Sequence, residues 1–306
     1  MILVPTIRPL TLAACLFIAL PVLPAPAEPM DISDAEPYPA LFEPGSLEGE
    51  RNLVLLGADL VEIAVALGAA DRILARPEAI DLPGIGGTPH KVREWAGVEG
   101  ILSFGPGKIT LGSSPPVARL IDGLAALGQE TKMISRILPA TRKVREMAEI
   151  LGVPERGEAL VASIEADYES SAKTRGEAPR VLHISKVGAG TQFTAGGAET
   201  AVDNLIRRVG AVNPAAEVGR DRYRPVTPEG VLAMKPDVVL IAETELPSFG
   251  GLAGIWQSYP GLALTPAGRE RNVVVMRDLH VRSDAASSGI ATRQLADALK
   301  GLAAER

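Results

Sequence analysis

The chain of 306 residues has a single cysteine, Cys15, and no thiol after it. Disulfides, thiol catalysis and Cys-ligated metals are therefore excluded from everything downstream. No run of Lys and Arg is interleaved with aromatic residues, and 31 basic against 37 acidic side chains leave a formal charge of −6. Nucleic acid is not an expected partner. The sequence lacks G-x-S-x-G, H-E-x-x-H and a P-loop, and KVGAGTQ (186–192) has glycines after a strand without the third one that a dinucleotide fingerprint needs. An α/β enzyme is the weaker reading on that ground. Beyond the first 27 residues no apolar run approaches a membrane span.

What is present begins with a leader. Residues 1–27 carry Arg8, the apolar stretch LTLAACLFIALPVL and A-P-A before Glu28, a pattern that reads as a secretory signal cleaved after Ala27. The LAAC ending at Cys15 resembles a lipoprotein box, but the apolar run continues beyond it. Residues 28–50 hold seven acidic and no basic side chains with Pro29, Pro37, Pro39 and Pro44, and are expected to be an extended leader ahead of the fold.

From position 51 the hydrophobic pattern alternates between short apolar runs and helical spacing. NLVLL (52–56) reads as a strand that stops at Gly57, with Leu60, Ile63, Ala64 and Leu67 on one face of the following helix. RILA (72–75), KITL (108–111) and TKMIS (131–135) read as further strands, and 115–128 as a helix between them. Residues 139–178 predict a long connecting helix, kinked or broken near Pro154. The first pattern then returns: RVLHIS (180–185), DVVLIA (237–242) and NVVVM (272–276) are strands, 198–211 and 290–304 helices.

The return is literal in one place: GVEGILSFGPGKITL (97–111) is echoed by TPEGVLAMKPDVVLI (227–241), 130 positions later. Together these features predict an α/β protein of two Rossmann-like lobes, 51–138 and 179–306, joined by a long backbone helix, with a ligand cleft between the lobes.

NLVLLGADLVEIAVALGAADRILA, TAGGAETAVDNLIRRVGAVNPA and YPGLALTPAGRERNVVVM resemble segments of the helical-backbone class of ABC-transporter substrate-binding proteins, over about 51–306. Members of that class are periplasmic and deliver haem, cobalamin or ferric siderophores to an inner-membrane permease; the likeness is greatest to the haem-binding branch. The resemblance implies no catalysis and no cofactor, haem as transported ligand, a monomer, and a permease dimer as partner. It also implies that Glu99 and Glu229, one per lobe, dock on Arg residues of the permease. Matching carboxylates on two lobes suit a two-fold symmetric partner.

Haem-binding relatives carry Tyr-x-Arg shortly before the first of these glutamates, and here PHKVREW keeps Arg93 but has Lys91 in place of the Tyr. Lys91 must lose a proton before it can ligate, so it suits a propionate better than iron. His90, in an expected loop, is the leading candidate iron ligand, as a neutral imidazole. Tyr223, at the family position lining the cleft from the other lobe, is the second, and Arg222 and Arg224 beside it are candidates for carboxylates of a macrocycle. His280 falls where family members close the cleft, Lys186 is a candidate for an anionic group at its mouth, and His183 reads as a core or rim histidine. Cobalamin or a ferric siderophore, which needs no axial protein ligand, is the alternative cargo.

Overall fold

The computed structural model describes residues 29–93, 96–171, 177–186 and 193–304. The expected signal segment, and VGAGTQ (187–192) after Lys186, lie outside the described residues. Two sheets organise the chain. Its strands are β1 (Met30–Ile32), β2 (Leu53–Leu56), β3 (Ile73–Pro77), β4 (His90–Val92), β5 (Ile109–Gly112), β6 (Glu130–Met133), β7 (Val181–Ser185), β8 (Thr194–Gly196), β9 (Tyr223–Pro225), β10 (Val238–Ala242) and β11 (Val273–Met276). The first sheet runs β4-β3-β2-β5-β6 with every pairing parallel. The second runs β1-β11-β10-β7-β8-β9, parallel as far as β7 and antiparallel over the last two pairings.

Continuous apolar runs form the central strands because both faces of each sheet are covered. In β2, Leu53 and Leu55 point into one core with the helices Ala58–Ala66, Ala140–Leu151 and Pro154–Ser170, while Val54 and Leu56 point into another with Ile121 and Leu124. The second sheet repeats the arrangement, Val239 and Ile241 facing one core and Val238 and Leu240 the other. Side chains alternate along a strand, so four consecutive apolar residues serve two layers at once.

One predicted feature is met and one is corrected. The connecting segment is broken near Pro154, as predicted, into two helices, Ala140–Leu151 and Pro154–Ser170, packed on one another. Gly152 ends the first in the left-handed conformation (φ 73°), and Pro154 occupies the first turn of the second, where its missing N–H costs nothing. Residues 29–47 are part of the fold and not a leader ahead of it. β1 adds to the second sheet beside β11, Tyr38 is buried in the core of the first lobe, and the backbone of Pro44 and Leu47 bonds to Ala70 and Gly68. The acidic side chains of this stretch face outward while its backbone and few apolar groups do the joining, so composition alone misread it. Of the described helices, none is long and apolar enough to cross a membrane.

Candidate functional site

A cavity of about 600 Å³ lies between the lobes at the carboxyl ends of the parallel strands. That is where ligands bind in open α/β sheets, because the strand-to-helix turns diverge there. One wall comes from the turns after β2, β3, β4 and β5, bringing Asp59, Ile80, Arg93 and Ser113, with Arg136 from the turn after β6. The other comes from the turns after β10 and β11, bringing Glu243, Arg277 and Arg282, and from Tyr223 on β9.

Tyr223 is paired with Gly196 across the antiparallel ribbon. The preceding Arg222 has φ 53°, and its N–H donates to the Ala198 carbonyl at 2.7 Å, which fixes the entry to the strand. The Tyr223 ring meets His183 edge-on at 5.7 Å, and the Arg282 guanidinium lies 5.8 Å from the ring centre. Burial pushes its phenol up to about 12, opposed by the charges of Arg282 and Arg136, so the free site holds a neutral phenol. Arg282 is itself held by Asp278, Glu245 and Ser185. His183 is fully buried with Nδ1 on the Leu240 carbonyl, and burial drives its imidazole down to about 3, so it is a neutral core residue.

Under the floor of the cavity the lobes are joined by buried charge. Asp59 accepts from Ser113 Oγ at 2.7 Å and from Lys143 Nζ at 3.2 Å, and Lys143, fully buried, also donates to the Ser283 carbonyl at 3.1 Å. A side chain at Gly57 would place its Cβ 2.1 Å from Ser113 Oγ, so only glycine leaves room for this link. One turn beyond Asp59, Glu62 accepts from the Ser287 N–H, and burial raises its carboxyl to about 7 against the pull of Ser283, Ser287 and Lys143.

Of the residues expected at the site, only Arg93 and Tyr223 line the cavity. His90 and Lys91 are exposed at the start of β4, and the His90 ring stacks on Phe104 at 4.6 Å. The strand advances about 3.3 Å per residue toward the cleft, so Val92 and Arg93 reach it and His90 stops short. Arg224 follows Tyr223 on β9 and so leaves on the opposite face, while Arg222 precedes the strand; they pair with Asp221 and Glu199 in solvent. His280 is buried away from the cavity with Nε2 on the Glu36 carbonyl at 3.0 Å, and burial, then Arg277, lowers it to about 4. Lys186 donates to the Ser248 carbonyl at 2.6 Å near the end of the turn Glu243–Phe249. Glu99 and Glu229 are both exposed in the first turns of the helices Val98–Leu102 and Pro228–Met234. Arg136, Arg277 and Arg282 were not anticipated. Arg136 and Arg277 shared a readable signal, an arginine just after a predicted strand, while Arg282 lies at the end of the helix Asp278–Arg282 that follows.

The fold and its cleft have known counterparts. Residues 124–279, half of the chain, match the family described as Periplasmic binding protein. The structure is similar to the periplasmic heme-binding protein RhuT from Roseiflexus sp. RS-1 in its apo form, at 30% identity over 83% of this chain and 99% of that one, with a TM-score of 0.72. It is equally similar to the periplasmic heme-binding protein BhuT in complex with two hemes, at 30% identity over 82% of this chain and 100% of that one, TM-score 0.71. HutB of Vibrio cholerae, at 24% identity, 82% and 98% coverage and TM-score 0.68, shares the fold. No curated protein sequence matches the chain significantly. With half its length matched and 30% identity to solved structures spanned end to end, the chain belongs to the periplasmic binding protein family.

Proposed function

We propose that the protein captures haem in the cleft between its lobes and delivers it to an ABC permease, with Tyr223 as the protein ligand to ferric iron. One observation carries the choice of ligand. Among the described residues lining the cavity, Tyr223 is the one phenol, and no imidazole, thiol or thioether is there beside it. Phenolate is an established axial ligand of ferric haem, and a phenol that is neutral when free gives up its proton to solvent as the metal binds. This replaces the nitrogen ligation expected from His90 with oxygen ligation from the other lobe. Relatives described as periplasmic heme-binding proteins, two of them at 30% identity, support the cargo.

The remainder of the reading concerns delivery. Export by cleavage after Ala27 brings the chain to the periplasm as a monomer, and Glu99 and Glu229 meet the two halves of a permease dimer. Their exposed first-turn positions, one on each lobe, leave both carboxylates free for that contact.

Titration with ferric haem tests the cargo and the ligand together. Wild-type protein should bind near one equivalent with a phenolate-type spectrum, and Tyr223→Phe should lose that spectrum while His90→Ala keeps it. Binding of cobalamin or a ferric siderophore in place of haem would overturn the cargo; a spectrum unchanged in Tyr223→Phe would overturn the ligand. Reversing both docking charges, Glu99→Arg with Glu229→Arg, should abolish uptake in cells and leave haem binding intact.

A further inference from the structure

We propose that Arg136 is the cleft's anion-recognising residue, reaching from the first lobe to take a carboxylate at the edge of a planar cargo whose metal is held by Tyr223. This rests on the haem reading and adds to it the residue that selects for the acid side chains. Each of the other cleft cations has a partner, a solvent-exposed one in the case of Arg93. Arg93 lies 3.6 Å from Glu78, Arg277 donates to the Ala35 carbonyl at 2.9 Å, and Arg282 is bound by Asp278 and Glu245. The Arg136 guanidinium is exposed and has no side-chain hydrogen bond or ion pair among the described residues.

Its backbone, in contrast, is held twice. The Arg136 N–H donates to Ser113 at 2.8 Å, and its carbonyl accepts from the buried Lys143 Nζ at 3.4 Å. Ser113 and Lys143 both bond to Asp59, so the main chain of Arg136 is fixed to the buried link beneath the cavity while its side chain is left to the cavity itself. A fixed stem with an unpaired fork is the arrangement that loses least freedom on binding a carboxylate, and guanidinium binds that group through two parallel hydrogen bonds. Four carboxylates line the cavity, Asp59, Asp81, Glu243 and Asp278, and none of them forms an ion pair with Arg136; Asp278 is committed to Arg282 and Asp59 to Lys143.

The test uses four porphyrins, ferric haem, its dimethyl ester, metal-free protoporphyrin and its dimethyl ester, titrated into wild type, Arg136→Gln and Arg136→Lys. The metal-free pair needs no iron ligand and isolates the acid groups. Arg136→Gln should weaken both free acids about tenfold or more and leave both esters at wild-type affinity, with Arg136→Lys recovering part of the loss. Equal weakening of acids and esters would make the residue structural. Weakening of haem with no change for the metal-free acid would mean that it acts on the Tyr223 phenolate. Either result, or an Arg136→Gln protein that binds all four like wild type, overturns the assignment while leaving haem as cargo. Wild-type protein that binds none of the four overturns the cargo and the assignment with it.

Discussion

The two lobes share a plan but differ in how they meet the cleft. The first presents only turns that follow parallel strands, and its wall is Asp59, Arg93, Ser113 and Arg136. The second adds to its parallel sheet an antiparallel ribbon, β8 and β9, and this addition carries Tyr223. The echo between 97–111 and 227–241 is uneven in the same sense. Helix Pro228–Met234 starts from Thr227, whose hydroxyl accepts from the Gly230 N–H, whereas Val98–Leu102 starts from Gly97 with no side-chain cap. A repeated scaffold thus places the cleft, and the departures from the repeat furnish its chemistry.

The junction Ser283–Ser288 is where the two lobes are compared most directly, because each lobe grips it with a buried charge. Lys143 reaches the Ser283 carbonyl from one side, and Arg208 pairs with Asp284 from the other. The first grip is the more deeply buried, Lys143 being 0% exposed against 21% for the Arg208 side chain. Lys143→Met should therefore cost the most of any single change considered, on the order of 3–5 kcal/mol in urea unfolding, since it strands Asp59 as an uncompensated buried charge. Asp59→Asn added to it should recover most of the loss. A Lys143→Met protein as stable as wild type would show that the lobes are not joined through this pair.

Glu62 sharpens the same comparison through pH. Its carboxyl sits near 7 in the folded state against 4.5 in the open chain, so the folded protein holds the extra proton between those values. Stability from this group is greatest below about pH 4.5 and falls as pH rises through 7; a shift of that size corresponds to about 3 kcal/mol. The groups facing it are Lys143, which opposes the shift, Ser283 and Ser287 from the second lobe, and Tyr38 from the amino-terminal segment, whose phenol the Glu62 charge helps to raise. Glu62→Gln mimics the protonated acid. It should unfold at higher temperature than wild type at pH 8 and at nearly the same temperature at pH 4.5. His183 and His280, whose lowered values weaken the fold as pH falls below about 6.5, act alike in both proteins and cancel in the difference. A difference independent of pH would place the Glu62 proton elsewhere.

Thr227→Ala tests the unevenness of the repeat at smaller scale. Loss of a threonine cap costs about 1 kcal/mol, and the helix it starts carries Glu229. The converse change Gly97→Ser, made in open space, supplies the capping hydroxyl that Val98–Leu102 lacks and should gain a few tenths of a kcal/mol. Thermal unfolding unchanged in both variants would mean that the two helices are held by packing alone.

Much of this fold was legible because its central strands are buried on both faces. LVLL, VLHIS, VVLIA and VVVM read as uninterrupted apolar runs, and the strands lie within a residue or two of where those runs predict them. β1, β4, β8 and β9 were not legible, since three residues at a sheet edge or in a ribbon are too short to show a period. The site suffered from the same blind spot. His90 was expected in a loop and lies in β4, which directs its ring onto Phe104; Tyr223 was found, but its neighbours were assigned to the cleft without the alternation that β9 imposes. Arginines after β6 and β11 carried a readable signal that the search for metal ligands passed over.

That alternation supplies the smallest effect and the most economical check on the ribbon. Arg224 is exposed, donates to Asp221 at 3.0 Å, and leaves β9 on the face opposite Tyr223. Hydrogen bonding from Arg224 lowers the Asp221 carboxyl, but a solvated pair three residues apart contributes little to folding or to a ligand it does not touch. Arg224→Ala should therefore change haem affinity by less than about twofold, at the same salt concentration at which Arg136→Gln is measured. If Arg224→Ala matched the loss in Arg136→Gln, the register of β9 against β8 would be off by one residue in solution, because a one-residue slip exchanges the faces of Tyr223 and Arg224. The two arginines, one on each lobe, then decide by a single pair of titrations which face of the ribbon meets the cargo.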